Sequence, residues 1–158
     1  MNESKISLRE ITEKNFNECI DLQVEPHQKN FVASNVYSLA QAWLYPASAR
    51  PFGIYHEDAM VGFLMLDINS FCDDQNKVCE LWRFMIDRRR QGRGYGRAAM
   101  RALLEYIKES AMGYEKARLS FEPENEVAEK LYRSFGFEPN GEVDGGEVVM
   151  VLELRGGQ

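Results

Sequence analysis

Apolar and polar residues alternate in several short stretches of the chain, and this alternation predicts strands. Residues 6–9 alternate in this way, while residues 78–86 are mostly apolar and aromatic, as expected of a buried strand. Polar turns at 56–58 and 144–146 each separate two such stretches and predict hairpins. The predicted strands cover residues 6–9, 51–55, 59–66, 78–86, 117–121, 137–143 and 148–154.

Apolar residues repeating at three and four positions predict helices between these strands. In the second helix, Val36, Leu39, Ala40 and Trp43 fall at i, i+3, i+4 and i+7 and predict its apolar face. The order of strands and helices implies a mixed sheet covered by helices. Four helices are predicted: residues 12–22, a second from the cap Ser34 to Pro46, a third from the glycines at 92–96 to about Ser110, and a fourth from the cap Asn125 to Gly136.

The length and composition are those of one globular domain, which we expect to span residues 1–158. Apolar residues make up 44% of the chain and charged residues 28%, so wholesale disorder is excluded. No apolar run approaches the ~18 residues of a membrane span, and the N-terminus lacks the apolar segment of a signal peptide. The cysteines Cys19, Cys72 and Cys79 are odd in number and lack C-x-x-C spacing. They favour a reducing cytoplasm over a disulfide framework.

The charge of the chain is concentrated in one place. Residues 88–101 carry six arginines and no acid, so removing these six positive charges from the net charge of −6 leaves −12 on the other 144 residues. Duplex DNA needs a broad basic face, and this chain is an acidic body with one basic spot. The pattern favours a small anion at the spot and a cation elsewhere, and it argues against a nucleic-acid partner. His27 and His56 lack metal-ligand spacing, so we expect no metal.

The glycines at 92, 94 and 96 follow the buried strand and open the third helix. Such a loop lets several backbone N–H groups and the helix N-terminus converge on a phosphate, with Arg93 and Arg97 as further donors. No Lys-Ser/Thr pair follows, which excludes the Walker pattern, and the spacing differs from the dinucleotide fingerprint G-x-G-x-x-G. The loop does match Q/R-x-x-G-x-G/A, through Gln91, Gly94 and Gly96. The physical expectation is a pyrophosphate site, and the plainer alternative, which the glycines alone would favour, is an ordinary turn.

A second motif begins thirty-four residues after Gln91, as N-x-x-A-x-x-L-Y-x-x-F-G-F at 125–137. Together the two motifs resemble motifs A and B of the GCN5-related N-acetyltransferases (GNAT), and the element order extends this resemblance over most of the chain. It implies a single-domain α/β (α+β) fold: a mixed, mostly antiparallel sheet of about seven strands, splayed between strands 4 and 5 and flanked by about four helices. A narrower resemblance to the bacterial spermine/spermidine acetyltransferases is carried by residues 22–24, Gln28, 31–32, 51–55, 61–63, 83–87 and 137–142.

The resemblance implies a role for each site residue. Backbone groups of 84–86 would hold the pantetheine arm of acetyl-CoA, and the Tyr132 hydroxyl would protonate the leaving thiolate. Glu80, eleven residues before Gln91, stands where some members of the superfamily place their general base. The acceptor would contact Glu25, Gln28, Phe31 and Tyr55. The expected acetyl-CoA residues are Phe84, Met85, Ile86, Gln91, Gly92, Arg93, Gly94, Tyr95, Gly96, Arg97, Arg118, Leu119, Ser120, Asn125 and Ala128.

The two catalytic assignments, Tyr132 and Glu80, each have a plainer alternative. Tyr132 lies on an apolar helix face and would otherwise be a core tyrosine, and Glu80 would otherwise be an exposed acid at the start of a strand. The expected reaction is transfer of an acetyl group to a primary amine, with a polyamine such as spermidine or spermine as acceptor. A protein N-terminus, lysine or aminoglycoside is the alternative acceptor, and a non-catalytic acetyl-CoA sensor is the alternative of another class. The resemblance leaves a homodimer open.

Overall fold

The structure is a computed structural model that describes residues 5–154. Short 3₁₀ turns at Pro26–Gln28 and Arg88–Arg90 lie outside the main elements. In chain order the elements are β1 (Ile6–Glu10), α1 (Phe16–Asp21), α2 (Asn35–Leu44), β2 (Ala49–His56), β3 (Ala59–Asp67), β4 (Val78–Ile86), α3 (Tyr95–Glu109), β5 (Lys116–Phe121), α4 (Glu126–Ser134), β6 (Glu138–Asp144) and β7 (Glu147–Glu153).

The strands of the described chain form one seven-stranded sheet in the order β1-β2-β3-β4-β5-β7-β6. β4 and β5 are parallel, and the other neighbouring pairs are antiparallel. The predicted mixed, mostly antiparallel sheet flanked by four helices is therefore confirmed. Residues Val78–Leu81 of β4 pair with Lys116–Leu119 of β5, whereas β4 continues to Ile86. The two strands therefore separate halfway along β4. This is the predicted splay.

A β-bulge in β4 lies at the point of separation. Met65 pairs with Arg83 and Leu66 pairs with Leu81, so Trp82 is an extra residue opposite β3. The bulge changes which face of the sheet the following side chains occupy. Beyond the bulge, Phe84 packs on the apolar core of one face of the sheet. Met85 packs on the core of the other face, where Trp82 also lies.

Two apolar cores cover the two faces of the sheet. The larger contains α3, whose predicted stripe Met100, Leu103, Leu104 and Ile107 is buried. The smaller packs α1 and α2 on the opposite face through Cys19, Leu22 and neighbouring side chains of β2, β3 and β4. The helices within residues 5–154 are too short or too polar to cross a bilayer.

The apolar face predicted for α2 is correct at Leu39, which packs on the smaller core, and wrong at the other three positions. Asn35 and Ser38 are its buried residues, whereas Val36 is 54% exposed and Trp43 is 83% exposed. The Asn35 amide explains the orientation, because its Nδ2 donates to the Cys19 carbonyl at 2.9 Å and so joins α2 to α1. The cap Ser34 is as predicted, since its Oγ accepts from the Tyr37 N–H at 3.1 Å.

α1 begins at Phe16, four residues later than predicted. The preceding residues form a turn instead, in which the Asn15 side chain accepts from the Thr12 N–H at 2.7 Å and donates to the Glu10 carbonyl at 3.1 Å. A side chain that satisfies backbone groups in this way competes with the helix, which is why Asn residues favour turns and helix ends.

Candidate active site

A large open cleft lies where β4 and β5 separate, with a volume of about 1440 Å³. One side is made by the end of β4 and the loop that opens α3, and another by the N-terminal part of α4. Residues 27–33 and the tip of the β6–β7 hairpin line the remainder. The cleft therefore gathers parts of the chain that are far apart in sequence.

The loop at 91–96 gives the cleft a set of backbone donors. Gly92 has φ 78° and Gly94, the residue before α3, has φ 83°, a left-handed conformation that residues with a Cβ rarely adopt. A Cβ at either position would meet nothing within 4 Å, so backbone conformation and not crowding requires glycine there. Gly92, Gly94 and Gly96 line the cleft at the start of a fifteen-residue helix. This is the geometry expected of a phosphate site.

Tyr132 reaches the cleft from α4 and is 8% exposed. Its ring lies 6.1 Å from the rings of Phe121 and Phe137, centroid to centroid. Burial raises the pKa of its hydroxyl above the ordinary range, and the negative charge of Glu147 adds to this effect. The hydroxyl is therefore protonated at neutral pH and available as a hydrogen-bond donor.

Asn125 stands at the start of the same helix. Its Oδ1 accepts from the Ala128 N–H at 3.2 Å, so the side chain caps α4, as predicted. Both residues line the cleft. Asn125 and Tyr132 therefore border the same opening.

Glu80 lies on the paired half of β4 and is 7% exposed. Asp67 of β3 is its neighbour on one side and Arg118 of β5 its neighbour on the other. The Arg118 Nη1 donates to the Glu80 Oε2 at 3.0 Å. Burial raises the pKa of Glu80 to about 7, and the charge of Arg118 only partly offsets this effect. A carboxylate with that pKa can accept a proton near neutral pH.

One end of the cleft is acidic. Asp67, Glu80, Asp144 and Glu147 line it, and the Ser120 Oγ donates to the Glu147 Oε1 at 2.8 Å. Arg118 pairs with Glu80 and Asp144, whereas Asp67 and Glu147 form no ion pair within the described residues. The remaining negative charge would attract a cation more strongly than a neutral ligand.

Comparison with known proteins decides the family. Residues 16–137 match the model of the acetyltransferase (GNAT) family. The chain belongs to the GNAT family. It is 36% identical over 155 residues to the spermine/spermidine N(1)-acetyltransferase of Bacillus subtilis (strain 168), an alignment that covers 94% of this chain and 99% of the relative.

Solved structures share this GNAT fold. One is an aminoglycoside acetyltransferase in complex with coenzyme A, with a TM-score of 0.76 at 19% identity, covering 94% of this chain and 95% of that one. Another is spermidine N-acetyltransferase from Vibrio cholerae in complex with CoA and spermine, with a TM-score of 0.74 at 19% identity, covering 96% and 97%.

Most of the predicted acetyl-CoA residues of this GNAT chain lie together in the cleft. Two arginines of the predicted pyrophosphate loop point elsewhere: Arg93 is exposed, and the Arg97 Nη1 donates to the Ser134 Oγ at 3.1 Å. Leu119 is fully buried in the core. The predicted acetyl-CoA residues that line the cleft are Phe84, Met85, Ile86, Gln91, Gly92, Gly94, Tyr95, Gly96, Ser120, Asn125 and Ala128.

The Arg118 side chain contacts acids. Besides Glu80, its guanidinium contacts Glu142 at 3.1 Å and Asp144 at 3.5 Å, and it lies over the Phe71 ring at 4.0 Å. It is 6% exposed and forms an ion-pair cluster that joins β4, β5 and β6. Its assignment to the cofactor stays a prediction.

The predicted acceptor residues do not all lie at the cleft. Gln28 and Phe31 line the cleft. Glu25 lies beside it, at the start of the 3₁₀ turn Pro26–Gln28. Tyr55 lies elsewhere, buried in the smaller core, where its hydroxyl accepts from the Asn15 Nδ2 at 3.0 Å.

Sequence reasoning missed Arg83, Gln41 and Tyr45, which line the cleft together with Trp82. The Arg83 Nη2 donates to the Gln41 Oε1 at 2.6 Å, and the guanidinium lies 5.1 Å from the Trp82 ring. Strict alternation along β4 gives Arg83 the wrong face, because the bulge at Trp82 interrupts it. The Gln41 contact spans forty-two residues and leaves no local signal.

Proposed function

We propose that this chain transfers the acetyl group of acetyl-CoA to a primary amine of a polyamine, spermidine or spermine. The observation that carries the proposal is the cleft itself, which runs from a glycine-rich phosphate loop past Tyr132 to an acidic end. The name of the relative from Bacillus subtilis supports a polyamine acceptor. Acetyl-CoA is supported by the solved relatives that hold coenzyme A.

The residues of the cleft fit a direct transfer. The unpaired edge of β4 at 84–86 would hydrogen-bond the pantetheine arm as an added strand, while the N–H groups of 92–96 hold the diphosphate. This arrangement brings the thioester carbonyl to the point of the splay. A backbone N–H of β4 would then stabilise the oxyanion that forms when the amine attacks.

Proton transfer accounts for the two catalytic side chains. An alkylamine is protonated at pH 7 and must lose a proton to attack, and Glu80 would accept that proton directly or through water. The amine nitrogen bonds to the carbonyl carbon, and the carbon–sulfur bond breaks. The Tyr132 hydroxyl would donate its proton to the leaving thiolate, and the second proton that the nitrogen loses on becoming an amide would return to Tyr132, directly or through water. No covalent enzyme intermediate is needed.

The acidic end would select the acceptor. A polyamine has a second ammonium group several bonds from the one that reacts, and Asp67, Asp144 and Glu147 are placed to attract it. The aromatic rings of Tyr45 and Trp82, with centroids 6.4 Å apart, offer a further cation-binding surface. The partly buried Arg83 opposes a cation beside it and would restrict where the second ammonium can lie.

Release of the CoA thiol tests the proposal across spermine, spermidine, simple monoamines, lysine peptides and aminoglycosides. We expect kcat/KM for spermidine to exceed that for a monoamine of similar length by at least tenfold. Equal rates with mono- and polyamines would reject the polyamine acceptor and leave the acetyltransferase. Binding of acetyl-CoA with no thiol release from any amine would indicate a sensor.

A further inference from the structure

Residues 24–33 form one wall of the cleft, between α1 and α2. Val24, Gln28 and Phe31 are among the residues of this wall that line the opening, and Gln28 adjoins the loop at 91–96. We call residues 24–33 the acceptor wall. It is an irregular segment apart from the 3₁₀ turn Pro26–Gln28, so its position depends on what it is attached to.

A reciprocal amide pair attaches the acceptor wall to the phosphate loop. The Gln28 Nε2 donates to the Gln91 Oε1 at 3.2 Å, and the Gln91 Nε2 donates to the Gln28 Oε1 at 2.9 Å. Each side chain has a further bond that fixes it. The Gln91 Nε2 also donates to the Ile86 carbonyl, and the Gln28 Oε1 also accepts from the Glu25 N–H.

A second attachment lies just before the wall. Asp87 is 1% exposed, and its Oδ1 accepts from the Gln23 N–H at 2.9 Å. The Arg88 N–H donates to the Gln23 carbonyl at 2.7 Å. These bonds anchor the backbone where the wall begins. The hydrogen-bonded pair of Gln28 and Gln91 is thus the side-chain link between residue 91 and the middle of the acceptor wall.

We propose that Gln28 is a positioning residue: through its amide pair with Gln91 it couples occupancy of the 91–96 loop to the placement of the acceptor wall. Acetyl-CoA on the loop restrains the backbone at residue 91, the amide pair transmits that restraint to Gln28, and the acceptor wall is thereby held in place for the amine. The acceptor consequently binds more tightly to the CoA complex than to the free protein. This inference rests on the proposed function for the identity of the two substrates.

The test compares spermidine binding to the free protein and to its CoA complex by calorimetry. We expect CoA to tighten spermidine binding by about tenfold in the wild type, the size of one or two hydrogen bonds, and to change it less than twofold in Gln28→Leu. Linkage requires spermidine to tighten CoA binding by the same factor. Gln23→Leu is the matched control, because its side chain is exposed and its attachment to Asp87 uses the backbone.

A second measurement distinguishes positioning from direct contact. If Gln28 only touched the acceptor, Gln28→Leu would weaken spermidine equally with and without CoA, and the inference would be overturned. We also expect the variant to raise the KM for spermidine about tenfold while kcat changes less than twofold. An unchanged KM contradicts the coupling.

Hydrogen exchange provides a test that needs no acceptor. CoA should slow exchange of the amides of the acceptor wall in the wild type and in Gln23→Leu, and leave them unchanged in Gln28→Leu. Equal protection in all three proteins would overturn the inference. If no amine is acetylated at all, the proposed function fails, and the exchange result still decides the coupling. Gln28→Met, which retains the side-chain length but can make neither bond of the amide pair, replaces the leucine variant if that variant unfolds.

Discussion

Tyr132 combines a buried ring with a hydroxyl that lines the cleft. The aromatic contacts with Phe121 and Phe137 fix the ring, and burial keeps the hydroxyl protonated. A phenol held in this way loses little conformational freedom when it donates to a leaving group. The residue therefore serves the core and the cleft with different atoms, which makes its hydroxyl removable without loss of the ring.

We expect Tyr132→Phe to lower kcat by at least about tenfold and to leave the dissociation constant of acetyl-CoA within about twofold, because the variant removes only the proposed proton donor. Thiol release and calorimetry measure the two quantities. Tyr106→Phe is the control, since Tyr106 is half exposed and packs on Phe52 away from the cleft. A Tyr132→Phe variant with wild-type kcat would exclude the general-acid role.

Glu80 should give the reaction a pH dependence near neutrality. Its pKa is raised to about 7 by burial, with Asp67 and Asp144 acting in the same direction and Arg118 against them. A general base acts when deprotonated, so kcat/KM should rise with pH through about 7. In Glu80→Gln that limb should disappear, leaving the titration of the acceptor amine. If both proteins give the same profile, Glu80 is not the base.

At the scale of elements, Arg118 is the residue that holds β4, β5 and β6 together at the acidic end of the cleft. Its partner Glu80 is buried, so the pair differs from the exposed pair formed by Arg133 and Glu129 within α4. Removing one partner of a buried pair leaves the other charge without compensation, whereas an exposed pair contributes little.

We expect Arg118→Met to lower the free energy of unfolding by about 3 kcal/mol at pH 9 and by less at pH 6. Without Arg118 the pKa of Glu80 rises further, so the folded variant binds a proton that the unfolded chain has lost, and its stability falls as pH rises through that pKa. Urea unfolding at the two pH values measures the effect. Arg133→Met should cost about 0.5 kcal/mol or less at both; a similar cost for both arginines would contradict this view of the cluster.

α2 and α3 differ in how well their apolar faces could be predicted. α3 has one unbroken stripe, and hydrophobic periodicity placed it on the sheet. α2 has apolar residues all round, so periodicity alone could not choose a face, and a hydrogen bond from Asn35 to Cys19 decides the orientation. The location of the 91–96 loop and of Tyr132 at the cleft was predictable because both stand in local motifs, and that of Glu80 followed from its distance to Gln91. Arg83 and Gln41 were not, because a bulge and a distant contact bring them together.

Because of the orientation of α2, the buried Asn35 should contribute more to the free energy of unfolding than the exposed Trp43. Asn35→Ala should lower the free energy of unfolding by about 1 kcal/mol, because the buried hydrogen bond from its Nδ2 to the Cys19 carbonyl is lost while that carbonyl still accepts from the Leu22 N–H. Trp43→Ala should change it by about 0.5 kcal/mol or less, because the ring is exposed. Denaturant titration of both variants checks the order. A larger cost for Trp43→Ala would mean that this face of α2 is covered in solution.

At the scale of the whole molecule, the sheet is two parts joined at one place. In the described chain, β1–β4 and β5–β7 meet through the pairing of Val78–Leu81 with Lys116–Leu119, and the cleft opens beyond it. A ligand that hydrogen-bonds the free edge of β4 would therefore extend the sheet, and its binding energy would add to that of folding.

We expect saturating CoA, at about one hundred times its dissociation constant, to stabilise the protein by about 2.7 kcal/mol and raise Tm by roughly 5 to 10 °C. Differential scanning calorimetry measures the shift. Adenosine, which lacks the diphosphate and the pantetheine arm, is the control and should shift Tm far less. Equal shifts with both ligands would show that neither the 91–96 loop nor the β4 edge contributes to binding.

The short seam between the two half-sheets leads us to expect that the proposed coenzyme governs how long the protein survives proteolysis. Coenzyme in the gap should suppress local opening there and attack by proteases. Without coenzyme we expect the gap to be where the chain is first cleaved, so depletion of the acyl donor would shorten the survival of the protein.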